Sequence, residues 1–165
     1  MGIPGEKKKP FLAWYAMLQA NTRLTERINA ELEMEAGLPL SWFEALAKLS
    51  WTPESCARMG ALADELLLSR GGATRLIARM EEAGLVRREI PATDRRATYA
   101  HVTDKGQAAL ERALPIHMAK VDEYFQQHLS EEEVEVLSRA MAKVLRGLGA
   151  DVDWLLEDLE AAAPQ

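Results

Sequence analysis

The stretch that most constrains this chain runs from Ser69 to Thr103, where a helix-forming pattern is followed at once by two strand-forming runs. Ala73, Leu76, Ile77 and Met80 fall at i, i+3, i+4 and i+7, which turns one side of a helix toward a core. Gly71, Arg75, Ala78, Arg79 and Glu82 project from the opposite side, with Arg70 and Thr74 on its flanks. Ser69 is suited to cap the start of this helix, and Gly84 to end it in a left-handed conformation. The runs from Leu85 to Ile90 and from Ala97 to Val102 then alternate as strands do. They are joined by Pro91-Ala92-Thr93-Asp94-Arg95-Arg96, whose proline, threonine and aspartate favour a turn. Two adjacent arginines at its tip put fixed hydrogen-bond donors into solvent. A hairpin this basic needs a partner.

Helix, glycine and basic hairpin, in that order, make up the last two thirds of a winged helix-turn-helix. In that unit the helix enters the DNA major groove and the wing reaches the adjacent minor groove. Met59, Leu62, Ala63 and Leu66 repeat the helical spacing upstream and supply the first helix of the pair, with Leu67 and Leu68 as the connection. Before it, the pattern predicts a long helix from Phe11 to about Glu35, with Pro10 near its first turn and Gly37 and Pro39 as its stop. A second helix from Trp42 to about Leu49 is expected to be capped by Ser41, and Trp51 to Ser55 reads as a turn. After the wing, a helix from Thr103 to about His128 carries Pro115 as a kink. Ser130 followed by Glu131-Glu132-Glu133 is a capping box that restarts the chain as a helix to Leu148. A short amphipathic helix over residues 151–159 follows. The fold class expected is mostly α with a small β wing, in one domain spanning residues 1–165.

Charge is distributed in keeping with this reading. The whole chain carries −6, which alone argues against a nucleic acid partner. Residues 69–101, however, hold seven arginines (70, 75, 79, 87, 88, 95, 96) against four acids (81, 82, 89, 94), so this segment is +3 and the rest is −9. Only a face that touches phosphates must be basic. With 48% hydrophobic and 28% charged residues the composition is that of an ordinary globular chain. No apolar run approaches the ~18 residues of a membrane span. Met1 to Pro10 has lysines without an apolar signal core, so a cytoplasmic location is expected.

The residues Leu62-Ala63-x-x-Leu66, Ser69-Arg70, Thr74-Arg75-Leu76, Met80-Glu81-x-x-Gly84-Leu85-Val86, Asp94-Arg95-Arg96 and Val102-Thr103-Asp104-Lys105-Gly106 form an ordered set. In that order the chain resembles the MarR family of bacterial transcriptional regulators. The resemblance covers element order from Phe11 to Leu148, and its motifs are specific from Met59 to Gly106. Gly71 and Gly72 depart from it, standing where such proteins often carry a side-chain donor. The resemblance implies a DNA-binding regulator, by default a repressor. Residues 10–36 and 104–160 would form the helical dimerisation region of a homodimer, and residues 40–103 the DNA-binding region with its wing at 86–102. Two-fold symmetry then implies a pseudo-palindromic operator with half-sites about 34 Å apart.

Roles follow for individual residues. Arg75 is the candidate base contact, because a guanidinium pairs with guanine O6 and N7 together. Thr74 suits a thymine methyl or a phosphate, while Ser69, Arg70 and Arg79 suit phosphates, which fix register without reading sequence. The resemblance implies that Asp94 orients Arg96 into the minor groove and that Arg95 meets backbone. Arg87 and Arg88 read as solvated charges framing the strand. The resemblance also implies a small aromatic or phenolic effector. Trp14, Tyr15, Trp42, Phe43, His117 and Met118 lie on helices that would line its pocket, although aromatic residues at helical spacing also build cores.

No cofactor and no metal are expected. Cys56 is the sole cysteine, which rules out an intrachain disulfide, and Arg58 is the one neighbour that would lower its pKa. His101, His117 and His128 lack a tight ligand spacing. The chain has no GxxxxGK[ST], HExxH, GxSxG or CxxC, so an enzyme is not indicated. The competing class is a winged-helix protein-interaction module. It would keep the hydrophobic pattern without needing arginines on both helix and wing, and would lack the salt dependence of phosphate contacts.

Overall fold

The computed structural model of the chain describes residues 5–94 and 97–161. It forms two compact units, one up to Lys120 and one from Val121 onward, with the boundary inside a single helix. The first unit starts with α1 (Gly5–Ala36) and α2 (Leu40–Ser50), followed by a three-residue strand, β1 (Cys56–Arg58). Two helices come next, α3 (Met59–Glu65) and α4 (Arg70–Glu82), then β2 (Val86–Glu89), β3 (Tyr99–Val102) and α5 (Asp104–Tyr124). The strands form one antiparallel sheet in the order β1-β3-β2. α6 (Glu131–Gly147) and α7 (Asp153–Ala161) belong to the second unit.

The core of the first unit is built by the periodicities expected. Ala73, Ile77 and Met80 of α4 are fully buried, as are Leu62 and Ala63 of α3. Leu76, at the edge of the α4 stripe, is only half-buried. α2 is the central element: Phe43, Leu46, Ala47 and Leu49 are buried, and it packs on α1, α3 and the sheet. Each large side chain removed from water here contributes about 1.5–3 kcal/mol.

Several local expectations are corrected. α1 begins at Gly5, so Pro10 lies inside the helix rather than in its first turn. The intervening Glu6-Lys7-Lys8-Lys9 are good helix formers, and the proline costs one backbone hydrogen bond. Ser41 is not the cap of α2. That helix starts at Leu40 after Pro39 without a side-chain cap of its own. Its orphan N–H at Leu40 instead donates to Asn29 Oδ1 of α1 at 2.8 Å, a cap supplied from another helix. β1 was not expected, because three residues are too few to show alternation. α5 stops at Tyr124, short of His128, and a 3₁₀ turn over Gln126–His128 follows. In the second unit the capping box is present as read: Ser130 Oγ accepts from Glu133 N, and Glu133 Oε2 accepts from Ser130 N at 2.9 Å.

The end of α4, the root of the hairpin and the start of α5 meet at one junction. Gly84 has φ +73°, and Leu85 N donates back to Met80 O at 2.9 Å. Thr103 Oγ1 lies 2.7 Å from Gly84 O and 3.0 Å from Leu85 O, and accepts from Gly106 N at 3.1 Å. Lys105 Nζ donates to Ala83 O at 2.8 Å, placing a cation on the C-terminus of α4. A Cβ at Gly106 would stand 2.0 Å from Leu85 O. Because that obstacle is backbone, Gly106→Ala is expected to lower stability by about 1–3 kcal/mol or more, read as a reduced urea midpoint at unchanged m-value.

Leu67, in the turn between α3 and α4, has φ +53° and a side chain 93% exposed. A branched residue held in the left-handed region is strained, and this one gains nothing from burial. Leu67→Asn is therefore expected to raise stability by about 1 kcal/mol, measured as an increase in Tm; an unchanged or lower Tm would show that the turn carries no such strain.

Candidate nucleic-acid interface

The exposed side of α4 is shaped by its first turn. Ser69 caps the helix, its Oγ accepting from Gly72 N at 3.1 Å. The hydroxyl hydrogen stays available for donation. Thr74 spends its hydroxyl on Arg70 O at 2.8 Å, which leaves its methyl group as the chemistry to offer outward. A Cβ at Gly71 would lie 3.5 Å from Arg75 Nη1, so the guanidinium of Arg75 folds back over a position that has no side chain. That is an ordinary van der Waals distance, so Arg75 does not by itself require a glycine at this position. At Gly72 a Cβ would press on Ser69 Oγ at 3.2 Å, in tension with the cap. Ser69, Arg70, Thr74, Arg75 and Arg79 are all exposed. Among the described residues, neither Arg70 nor Arg75 forms an ion pair.

Arg79 has a neighbour that sequence reasoning assigned elsewhere. Its guanidinium carbon lies 5.9 Å from the ring centroid of Trp42, a cation–π distance. Trp42 thus stands beside the recognition helix, with its half-buried ring against an arginine of the exposed face. The other aromatic candidates separate into two groups. Trp14 and Tyr15 gather with Phe11 on α1, about half exposed. Phe43 of α2 stacks on His117 of α5 with centroids 4.4 Å apart. His117 Nδ1 is buried and has no hydrogen-bond partner among the described residues, and burial holds the imidazole below its ordinary pKa, favouring the neutral form. Met118 is exposed. An open depression of about 360 Å³ lies between α1 and α2, lined by Thr25, Glu26, Asn29, Leu40, Ser41 and Glu44, none of them among the expected pocket residues. Burial raises the Glu44 pKa, partly offset by Lys48.

The wing is braced by its own acids. Arg87 pairs with Glu89 on the same strand, and His101, opposite Arg87 in the register, lies 3.4 Å from Glu89. Arg88 is exposed, as read, but paired: its backbone N donates to Glu81 Oε1 at 2.8 Å and its Nε to Glu81 Oε2 at 2.7 Å. The side-chain and backbone donors of Arg88 hold the Glu81 carboxyl below the usual carboxylate range. The contribution of this pair is therefore complete at neutral pH and is lost only as pH falls through that lowered value. Asp94 lies at the turn, its N donating to Pro91 O at 3.2 Å, with Arg58 Nη2 3.9 Å from its carboxylate. Arg95 and Arg96, expected at the wing tip, lie outside the described residues.

Sequence reasoning missed Arg58 and Glu81. Arg58 reaches the wing because β1 pairs with β3, opposite Tyr99. Glu81 had a visible signal, an acid one residue from the helix end just before a basic strand, but no local rule selects which arginine it meets. Among the described residues, no group of three or more His, Cys, Asp or Glu side chains is placed to hold a metal ion. Nor is any described helix long and apolar enough to cross a membrane.

This arrangement agrees with known proteins. The MarR family profile matches residues 36–97. The chain is 38% identical over 89 residues to the HTH-type transcriptional regulator MhqR of Bacillus subtilis, a match spanning 54% of this chain and 59% of that regulator. It superposes on Sco3205, a MarR family transcriptional regulator from Streptomyces coelicolor solved in complex with DNA, with TM-score 0.81 and 30% identity, covering 92% of this chain and 97% of that one. AbsC, another MarR family transcriptional regulator from the same organism, matches with TM-score 0.78 and 31% identity over 89% of this chain and 99% of that one. With winged-helix topology, a basic exposed recognition helix and near-complete coverage of solved members all in agreement, the chain belongs to the MarR family of transcriptional regulators.

Proposed function

We propose that this protein is a sequence-specific DNA-binding repressor that works as a homodimer. The observation that carries this reading is the outer face of α4, where Arg70, Thr74, Arg75 and Arg79 stand exposed together beside a braced wing. Sco3205, solved with DNA, supports it as a relative of similar fold. Arg75 reads guanine, Thr74 offers a methyl group, and Ser69, Arg70 and Arg79 hold phosphates. Asp94, Arg95 and Arg96 serve the minor groove. Dimerisation is supported by apolar side chains that single chains do not cover: Leu12, Trp14, Tyr15 and Leu18 on α1, and separately Val136, Leu137, Val144 and Leu145 on α6. Repression follows where the operator overlaps a promoter. A regulator of this kind acts where the chromosome is.

Selection from a random DNA library with purified protein tests this directly. The expected result is an inverted repeat whose half-site centres lie about ten base pairs apart. Arg75→Ala then weakens binding by about 1–3 kcal/mol and relaxes one base position, whereas Arg79→Ala lowers the slope of log K against log salt by about 0.9. Absence of any enriched sequence at low salt would reject the reading.

The effector is a small aromatic or phenolic molecule. The stacked pair Phe43 and His117 supports this class, because a neutral imidazole with a buried, unpartnered Nδ1 is suited to a phenol hydroxyl. Trp14, Tyr15, Trp42 and Met118 complete the candidate set. A ligand releases DNA only to the extent that it prefers the DNA-incompetent arrangement. A panel of phenolic acids is expected to release operator from the wild-type protein, and His117→Phe to abolish the response while leaving ligand-free DNA affinity intact. Equal release from both proteins would remove His117 from the site.

A further inference from the structure

β2 is an outer strand of the sheet, since β3 lies between it and β1. Outer strands present unpaired backbone groups. One of these, the N–H of Arg88, is taken by Glu81 Oε1 of the recognition helix, while the guanidinium of the same residue closes on Oε2 through Nε at 2.7 Å and Nη2 at 2.6 Å. A single carboxylate thus receives three N–H groups from one wing residue. α4 and the wing are also joined at the root, where Leu85 N donates to Met80 O next to Gly84 in its left-handed conformation and Thr103 closes on the carbonyls of Gly84 and Leu85. These contacts all lie at the chain reversal itself. The Glu81–Arg88 contact, three residues beyond Leu85, holds β2 to the helix farther out, so that slack left at the root is not carried to the tip.

The angle between helix and wing matters because the wing is a lever. At about 3.3 Å per residue the arm from Gly84 to Pro91 reaches about 23 Å. A slack of ~15° at its root would carry the tip through ~6 Å, the width of the minor groove. We infer that Glu81 is a positioning residue for DNA binding, an acid on a basic face that sets the angle between recognition helix and wing by clamping Arg88. The inference rests on the proposal that α4 and the wing engage one duplex.

Its sign separates it from plain electrostatics. Removing an acid from a DNA-facing surface takes away one negative charge and, on charge alone, tightens binding. If Arg88 were itself a phosphate contact, releasing it from Glu81 would tighten binding further. The clamp requires the opposite result.

The experiment measures operator affinity of full-length Glu81→Ala, Arg88→Ala, the double variant and Arg96→Ala, with footprinting of both grooves. The expected result is that Glu81→Ala and Arg88→Ala each weaken binding about tenfold. The double variant should weaken it no more than either single one, as for two members of one unit. Minor-groove protection should be lost while major-groove protection is kept. Glu81→Gln, which retains an acceptor for Arg88 N, should fall between wild type and Glu81→Ala. Denaturation midpoints taken alongside confirm that the variants are folded, and Glu81→Gln carries the test should Glu81→Ala not fold. If Arg96→Ala weakens binding while the Glu81 variants bind as well as wild type or better, the clamp is overturned and the wing reading stands. If Arg96→Ala has no effect, the wing reading itself falls and the clamp with it.

Discussion

The junction of Thr103 and Gly106 with Gly84 and Leu85 is the contact on which the DNA-facing half of the molecule depends. Three elements change direction there within a few ångströms: α4 ends, β2 begins, and α5 departs from β3. Thr103 serves both sides, approaching the carbonyls of Gly84 and Leu85 while capping α5 through Gly106 N. The close approach of Gly106 to Leu85 O leaves no space for a side chain. Backbone against backbone is the stiffest contact a fold can make, because neither partner has a rotamer through which to yield. The ordered motif Val102 to Gly106 is therefore a statement about where the recognition helix points. No phosphate or base need touch it.

Charge on this surface follows a related logic. A chain of net charge −6 presents a basic face without emptying that face of acids. Glu81 and Glu89 each engage an arginine of β2, and Asp94 stands near Arg58. Exposed ion pairs add little stability, typically below about 1 kcal/mol each. Their effect here is geometric: each holds an arginine of β2 against a carboxylate, while Arg70 and Arg75 stand exposed on α4. Counting basic residues therefore overstates the number of phosphates such a surface neutralises. On the proposed reading, the arginines left outside these pairs set the salt dependence.

What was legible in the sequence was what is local. Ser69 as cap, Gly84 in the left-handed conformation, the buried stripe of α4 and the Ser130–Glu133 capping box are each decided by residues within about one turn of one another, and each is present. The features that escaped are decided across the chain. Asn29 caps α2 from eleven residues away, a partner no local rule names, and the local favourite Ser41 is bypassed. β1 exists because β3 is there to pair with it, since three residues carry no periodicity of their own. Arg88 reads as a solvated charge until the return of the chain at Gly84 brings Glu81 alongside. For the site, the exposed face of α4 was readable residue by residue, whereas the bracing of the wing was not.

The separation of the aromatic residues bears on how an effector would reach DNA. Coupling needs elements with two arrangements that both ligands bias. Asn29 of α1 holds the first N–H of α2, and two residues later Trp42 carries the guanidinium of Arg79 on α4. One residue beyond, Phe43 stacks on His117 of α5. The first turns of α2 thus touch α1, the recognition helix and α5 within four residues. A ligand that wedges between Phe43 and His117 would have to shift α2, and any rotation of its first turn moves Trp42 under Arg79. An arginine that loses its aromatic seat also loses the preorganisation that makes a phosphate contact cheap in side-chain entropy.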